Sequence, residues 1–163
     1  MLNNPLWSFL LPSIVALLCS LAEAGMIQMV LGGPPCGTFS RLRHLQWSPG
    51  PPPVRSRGAH VWGLPWLTGA AARRVQEANL LLVNFVVLAE AVVMAGGLFA
   101  LEHPEDPGED PYPSIWSTSL ITDFERRTMA KRRLIHQCRF GCRARKATTI
   151  SGNGRTWGGE PIL

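Results

Sequence analysis

The sequence predicts an α/β fold in which parallel strands are joined by a long, buried crossover helix. Two short apolar runs, residues 26–31 and 98–101, have the length and composition of buried strands. The apolar stretch between them, residues 70–95, is long enough to form the helix that connects two parallel strands in a right-handed crossover. Hydrophobic residues make up 46% of the 163 residues and charged residues only 17%, which excludes a long disordered chain.

An apolar segment, residues 1–25, precedes the first strand. We interpret it as a buried helix over about residues 13–23 that leads into the domain. The uncharged run 5–22, with the sequence Ala-Glu-Ala before Gly25, is also typical of a signal peptide or a membrane anchor. A small secreted or membrane-anchored protein is therefore an alternative. No Lys or Arg precedes the run, and this favours the helix.

The first strand ends in a sharp turn, GGPP, and a loop rich in Pro and Gly follows over residues 37–69. Loops of this length in a small domain are usually functional or disordered. Trp and Arg residues alternate along it, which suits stacking on bases and contact with phosphate. The arginines concerned are Arg41, Arg43, Arg55 and Arg57.

The helix predicted over residues 70–95 ends at Gly96 and Gly97, a typical C-terminal signal. Because residues 80–89 are apolar almost all round, we expect this helix to be largely buried. A membrane span is the second interpretation of the same segment, and Asn84 and Glu90 make it a poor one.

The second half of the chain supplies the remaining elements. A helix is predicted over residues 122–131, with Asp123 near its start and basic residues towards its end, as the helix dipole favours. Residues 133–140 and 146–151 are predicted to form a third and a fourth strand. The glycine-rich tail, residues 152–163, is predicted to be flexible.

The charge is segregated along the chain. The formal net charge is +5, and residues 126–155 contain ten basic residues and no acidic one. A surface of this kind favours contact with the phosphates of a nucleic acid, because neutralised phosphates release counterions. A solvated basic face is the alternative explanation.

Two residues of chemical interest follow the two strands of the crossover unit. Cys36 comes after the first strand, and Glu102 comes directly after the second. Functional groups of open α/β sheets collect beyond the carboxyl ends of the strands, so that a thiol and a carboxyl group are expected to face one crevice. A buried structural cysteine and a solvated glutamate are the alternatives.

The residues at these positions resemble a known family. The segment GGPPCGTFS, residues 32–40, closely resembles the GGPPCQGFS signature of DNA (cytosine-5) methyltransferases. The segment LEHP, residues 101–104, is similar to the family's Glu-Asn-Val/Pro element, and QCR, residues 137–139, to its Gln-x-Arg-x-Arg element. The resemblance covers residues 26–151 and implies a partial Rossmann-like methyltransferase fold.

The resemblance also implies a mechanism and a set of site residues. Cys36 is the implied nucleophile, attacking ring carbon 6 of a cytosine flipped out of its duplex, and Glu102 is the implied partner of the ring nitrogen and amine. S-adenosylmethionine is the implied methyl donor, and no other small-molecule substrate is expected. DNA is the implied partner, with RNA left open, and the compartment is intracellular, nuclear in a eukaryote. The implied substrate contacts are Pro34, Pro35, Ser40, Gln137 and Arg139.

Several positions depart from the family pattern. Gly37 and Thr38 replace Gln-Gly, and His103 replaces the asparagine after the glutamate. The Phe-x-Gly-x-Gly turn that binds S-adenosylmethionine has no counterpart. We therefore expect an incomplete catalytic half, a fragment or one chain of a split enzyme, inactive unless a second chain supplies the cofactor half. A non-catalytic nucleic-acid-binding remnant of a mobile element is the alternative.

The four cysteines are too few and too scattered for a disulfide scaffold. Cys138 and Cys142 with His136 and His103 form a possible zinc site, but a single cysteine pair is a weak signal. No metal is expected.

Overall fold

The structure, a computed structural model, describes residues 8–45, 50–141, 143 and 146–154. These residues form three α-helices and a mixed four-stranded sheet. The helices are α1 (Pro12–Glu23), α2 (Gly69–Met94) and α3 (Ser119–Thr128), and the strands are β1 (Met29–Gly32), β2 (Leu98–Pro104), β3 (Lys131–His136) and β4 (Ala147–Gly152). The predicted α/β class is confirmed.

The strands lie in the order β1-β2-β4-β3. β1 and β2 are parallel and are joined by α2, as the two apolar runs and the helix between them predict. β4, however, runs antiparallel to both β2 and β3, so the expectation of parallel pairing is wrong for this strand. The connection from His136 to Ala147 is too short for a crossover helix, and a short connection joins neighbouring strands antiparallel.

The core lies between α2, α3 and one face of the sheet. Phe85 of α2 belongs to one buried cluster with Phe99 and Leu101 of β2 and with Phe124 of α3, and the rings of Phe99 and Phe124 are 4.7 Å apart. Two β1 side chains on the opposite face of the sheet, Met29 and Leu31, are exposed.

The expectation that α2 is largely buried is only half right. Val83, Val87 and Met94 of this helix are exposed, because α1 and the sheet cover only part of its circumference. By length and composition α2 could also cross a membrane, a test that core helices of globular proteins pass as well. In its most apolar 18-residue window, 44% of the residues are buried within the fold.

The predicted N-terminal helix is present as α1, which begins at Pro12. Ala22 packs against Leu88 and Val92 of α2, and the Asn84 side-chain amide donates to the backbone carbonyl of Phe9 at 2.7 Å. The helix is less buried than expected, since among its residues only Val15 and Ala22 are buried. Ser13, Ser20 and Glu23 lie on its exposed side together with the apolar Leu17.

Element boundaries in the second half differ from prediction by a few residues. α3 begins three residues before its predicted start, at Ser119, and ends where Met129 adopts the left-handed conformation, with φ of 53°. β3 ends at His136, and residues 137–140, predicted as strand, form a 3₁₀ turn. Most of the predicted flexible tail, residues 155–163, lies outside the described part of the chain.

Candidate functional site

The turn after β1 is shaped by two glycines and two prolines. A Cβ on Gly32 would overlap the ring of Phe85, so only glycine lets β1 lie this close to α2. The two prolines cannot continue a strand ladder, because they lack a backbone N–H. The chain therefore leaves the sheet and reaches Cys36, which is partly exposed and whose carbonyl accepts from the N–H of Phe39 at 2.9 Å.

Glu102 of β2 lies against the same turn. A Cβ on Gly33 would be 3.2 Å from Glu102 Oε2, so a side chain there would crowd the carboxylate. On its other side, Glu102 Oε1 accepts from Gln137 Nε2 at 3.4 Å and is 3.7 Å from Lys146 Nζ. The structure thus brings together two residues nominated from the sequence, Glu102 and Gln137, and adds Lys146, which sequence reasoning missed.

A cavity of about 390 Å³ lies beside Cys36 at the carboxyl end of β2. Its walls come from the loop after β1, from the end of β2 and the residues after it, and from the start of β4. Cys36 and Ser40 line it on one side, and His103 and Lys146 line it elsewhere. A cavity of this volume is in the range that small ligands occupy.

Adjacent residues of β2 contribute to the site in different ways. Successive side chains of a strand point to opposite faces, and Leu101 and His103 are buried while Glu102 between them is partly exposed. His103, which sequence reasoning did not nominate for this site, lines the cavity together with Cys36. Glu102 lies against Gly33, and its neighbour Lys146 lines the cavity whereas Glu102 does not. The thiol and the carboxyl group that were expected to face one crevice therefore do not line the same cavity.

His103 is held in an apolar setting. Its side chain is 1% exposed, with the rings of Phe39 and Trp116 edge-on at 5.2 and 6.3 Å. Neither ring nitrogen makes a hydrogen bond of normal geometry among the described residues, although the Pro104 carbonyl lies close enough to the imidazole to raise its pKa. Burial, and then the positive charges of Lys146 and Arg55, lower the pKa of His103 to about 3, so the imidazole is uncharged at neutral pH.

Arg55 fastens the loop behind Cys36. Its guanidinium is fully buried and donates to Thr38 Oγ1 at 3.1 Å and to Asn79 Oδ1 at 2.7 Å. It also donates to the carbonyls of Val61 at 2.8 Å and Val75 at 3.2 Å, and it lies 4.0 Å from the ring centre of Phe39. Burial lowers the pKa of Arg55 to about 10.

The expectation that the loop arginines contact phosphate is therefore wrong for Arg55, and Arg43 and Arg57 have partners within the chain. Arg55 is buried, and Arg57 is ion-paired with Asp106 at 2.6 Å. Arg43 donates to the carbonyls of Gly37 at 2.7 Å and Pro52 at 3.0 Å, which fixes the loop on itself. Arg41 is exposed and lines the cavity.

The remaining nominated residues are spread around the turn. Pro34 is half-buried and Pro35 exposed. Ser40 lines the cavity, and its hydroxyl accepts from the N–H of Leu42 at 3.3 Å. Arg139 is exposed on the 3₁₀ turn that follows β3.

The basic stretch is partly neutralised within the chain. Arg126, Arg127 and Arg132 pair with Asp123, Glu90 and Glu125. Exposed positive charge remains near β3, at Lys131, Arg139 and Arg143.

In the part of the chain that the structure describes, no group of three or more His, Cys, Asp and Glu side chains is placed to hold a metal ion. Cys142 of the zinc alternative lies outside that part. Comparison of the chain with protein-family models, with curated proteins and with solved structures gives no match. The chemistry of the site therefore rests on its own residues. A partly exposed thiol, an uncharged imidazole and an ammonium group line one cavity, and the Glu102 carboxylate lies outside its lining.

Proposed function

We propose that this chain is a DNA (cytosine-5) methyltransferase-like domain, with a partial Rossmann-like methyltransferase sheet, in which Cys36 attacks a cytosine flipped out of its duplex. The observation that carries the proposal is the position of Cys36. It follows the GGPP turn of β1, at the carboxyl end of a parallel strand pair, and opens on a cavity of about 390 Å³. Enzymes that modify bases extrude the target base into such a pocket.

In the proposed reaction the Cys36 thiolate adds to ring carbon 6 of the base and forms a carbon–sulfur bond. The electron pair of the carbon 5–carbon 6 double bond moves into the ring, towards the ring nitrogen. Glu102 supplies the hydrogen bond or proton that neutralises this charge, as a positioned general acid. Its contacts with Gln137 and Lys146 hold the carboxylate beside the turn that carries Cys36.

The described residues do not fit the methyl donor implied by the resemblance. A site for S-adenosylmethionine of the Rossmann kind needs a glycine turn that leads from a strand into a helix N-terminus. β1 leads instead into two prolines and a 3₁₀ turn, and β2 leads into the proline-rich residues 104–113. We assign the methyl donor to a second chain that supplies the cofactor half, and we expect no methylation by this chain alone.

The open edge of the sheet favours the binding of a second chain. Among the described strands, β1 pairs only with β2, so one backbone edge of β1 is open to another strand. Met29 and Leu31 on the same strand are exposed apolar residues. The proposed partners are DNA and the second chain that supplies the cofactor half. The proposed compartment is intracellular, and it is the nucleus in a eukaryote.

The test is formation of a covalent adduct that needs no methyl donor. An oligonucleotide duplex carries 2-pyrimidinone at one cytosine position, an electrophilic ring that accepts a thiolate at carbon 6. The purified chain is expected to gain the mass of the modified strand. The Cys36→Ser variant is expected to gain nothing, and Cys19→Ser is the matched control that keeps the reaction. Absence of an adduct in the unaltered chain overturns the proposal.

The second candidate is a non-catalytic nucleic-acid-binding module. The exposed basic residues near β3, Lys131, Arg139 and Arg143, favour it. In that case the chain binds the same duplex with an affinity that falls steeply with salt, and Cys36→Ser changes neither binding nor adduct formation.

A further inference from the structure

The most unusual group in the cavity is the side chain of His103. It is 1% exposed, it lines the same cavity as Cys36, and both of its ring nitrogens lack a hydrogen bond of normal geometry among the described residues. Buried polar atoms normally have partners, since leaving them unpaired costs stability. A buried imidazole without hydrogen-bond partners beside a cavity therefore requires an explanation.

The neighbouring groups do not provide the missing partners. The Phe39 and Trp116 rings stand nearly perpendicular to the imidazole and carry no oxygen acceptor. The one polar atom of the Trp116 side chain, Nε1, is already used, because it donates to the carbonyl of Pro104 at 2.7 Å. A packing role for His103 would be served as well by an apolar residue.

The rest of the cavity has the chemistry of a nucleotide site. Its walls include Leu42 and several prolines, which offer an apolar lining for a planar base. Arg41 and Lys146 supply positive charge for a phosphate, and Ser40 supplies a hydroxyl group.

We propose that this cavity is the base-binding pocket and that His103 recognises the base through a hydrogen bond. The proposal rests on the proposed function, in which Cys36 acts on cytosine. An uncharged imidazole has one N–H donor and one acceptor nitrogen. The two imidazole nitrogens point away from each other, so only one of them can meet a given base edge, and its N–H can donate to the carbonyl of cytosine.

Base binding requires the loop that carries Phe39 to move. Both ring nitrogens are shielded from solvent, and Phe39 packs on the imidazole. This loop carries Cys36 as well, so a base that displaces Phe39 from His103 also repositions the thiol. In the proposed complex His103 touches the base directly and contributes to the choice of base.

The experiment uses the full chain and 2′-deoxycytidine 5′-monophosphate as the probe. Long-range ¹H–¹⁵N spectra of the histidine rings are recorded during the titration, with His60, which does not line the cavity, as the internal control. The nucleotide is expected to shift the ring nitrogens of His103 and leave those of His60 unchanged. No shift of His103 at saturating nucleotide, or no binding, overturns the inference.

Two variants measure the hydrogen bond. His103→Phe removes donor and acceptor and is expected to weaken nucleotide binding about tenfold, the usual effect of one lost hydrogen bond. His103→Asn keeps a donor and an acceptor and is expected to retain most of the affinity. Equal affinity in the unaltered chain and His103→Phe contradicts the inference. If His103→Phe does not fold, the ring-nitrogen titration of the unaltered chain still decides.

The failures of the two proposals are distinguishable. If the nucleotide shifts the His103 resonances but Cys36 forms no pyrimidinone adduct, the proposed catalytic function is wrong and the base-binding pocket is retained. An adduct that forms at the same rate in His103→Phe as in the unaltered chain leaves the function and removes the role of His103.

Discussion

The guanidinium of Arg55 donates to Thr38 Oγ1 at 3.1 Å, two residues beyond Cys36, from a position where Arg55 itself is fully buried. The same guanidinium reaches the carbonyl of Val75 and the amide oxygen of Asn79, both on α2. One buried charge therefore connects the loop that carries the candidate nucleophile to the crossover helix. No carboxylate pairs with it among the described residues, so its hydrogen bonds and the Phe39 ring must compensate for burial.

Replacement of Arg55 by Met is expected to destabilise the fold by about 3 kcal/mol, because buried acceptors lose their donor. Urea unfolding followed by circular dichroism measures the change. Arg73→Met, at an exposed position of α2, is the control and is expected to stay within about 0.5 kcal/mol. A loss of less than about 1 kcal/mol in Arg55→Met would show that the buried guanidinium does not hold the loop.

Replacement of Gly32 by Ala is expected to cost about 2 kcal/mol, because the added methyl group overlaps the ring of Phe85. Gly37→Ala is the matched control, since nothing lies within 4 Å of a Cβ there. Thermal and urea unfolding compare the two. In the double variant Gly32→Ala, Phe85→Leu the two changes are expected to be non-additive, because the smaller side chain makes room. Additive losses would contradict the close approach of β1 to α2.

The stability of the chain is expected to depend on pH through His103. Its pKa is lowered from 6.5 to about 3 in the fold, so below pH 6.5 the unfolded chain binds a proton that the folded chain does not. Stability from this group is complete above pH 6.5 and is lost as the pH falls towards 3, by about 5 kcal/mol in total.

Unfolding free energies measured from pH 7 to pH 4 are compared between the unaltered chain and His103→Asn. The variant is expected to lose less stability over this range, because the other titrating groups, Asp106 among them, are common to both chains. Parallel pH curves for the two chains would show that the imidazole is not buried as described.

Replacement of Glu102 by Gln is expected to slow adduct formation on Cys36 about 100-fold, the usual contribution of a positioned acid. Stability is expected to change by less than about 1 kcal/mol, since Glu102 and Lys146 are both partly exposed and surface ion pairs contribute little. Glu105→Gln is the control, because Glu105 is the next carboxylate along the chain and itself lines the cavity. Equal adduct rates in all three proteins would remove Glu102 from the mechanism.

The crossover unit could be predicted from the sequence because its signals are local. Apolar runs of strand length, a long apolar helix and the glycines at 96 and 97 define β1, α2 and β2 without reference to the rest of the chain. The composition of β4 does not indicate its direction, but the short connection after β3 favours an antiparallel pair, and the expectation of parallel pairing overlooked it.

The candidate site likewise contains residues that the sequence predicts and residues that it does not. Cys36 follows the end of β1 as the sequence predicts, whereas β2 continues to Pro104, so that Glu102 lies within this strand and not beyond it. The burial of Arg55 depends on acceptors that come from three distant segments, and no local pattern marks it. In the sequence, His103 differs from the family pattern, which has asparagine after the glutamate, and nothing else marks it. Its place in the cavity follows from the alternation of side chains along β2.

The most direct measurement of the central claim is identification of the residue that carries the pyrimidinone adduct. Trypsin has no cleavage site before Arg41, so Cys19 and Cys36 share one peptide, and the reaction is best run in the Cys19→Ser chain. Tandem mass spectrometry of the peptide that ends at Arg41 is expected to place the nucleotide on Cys36. An unmodified peptide, or an adduct on Cys138 in its place, would contradict the account.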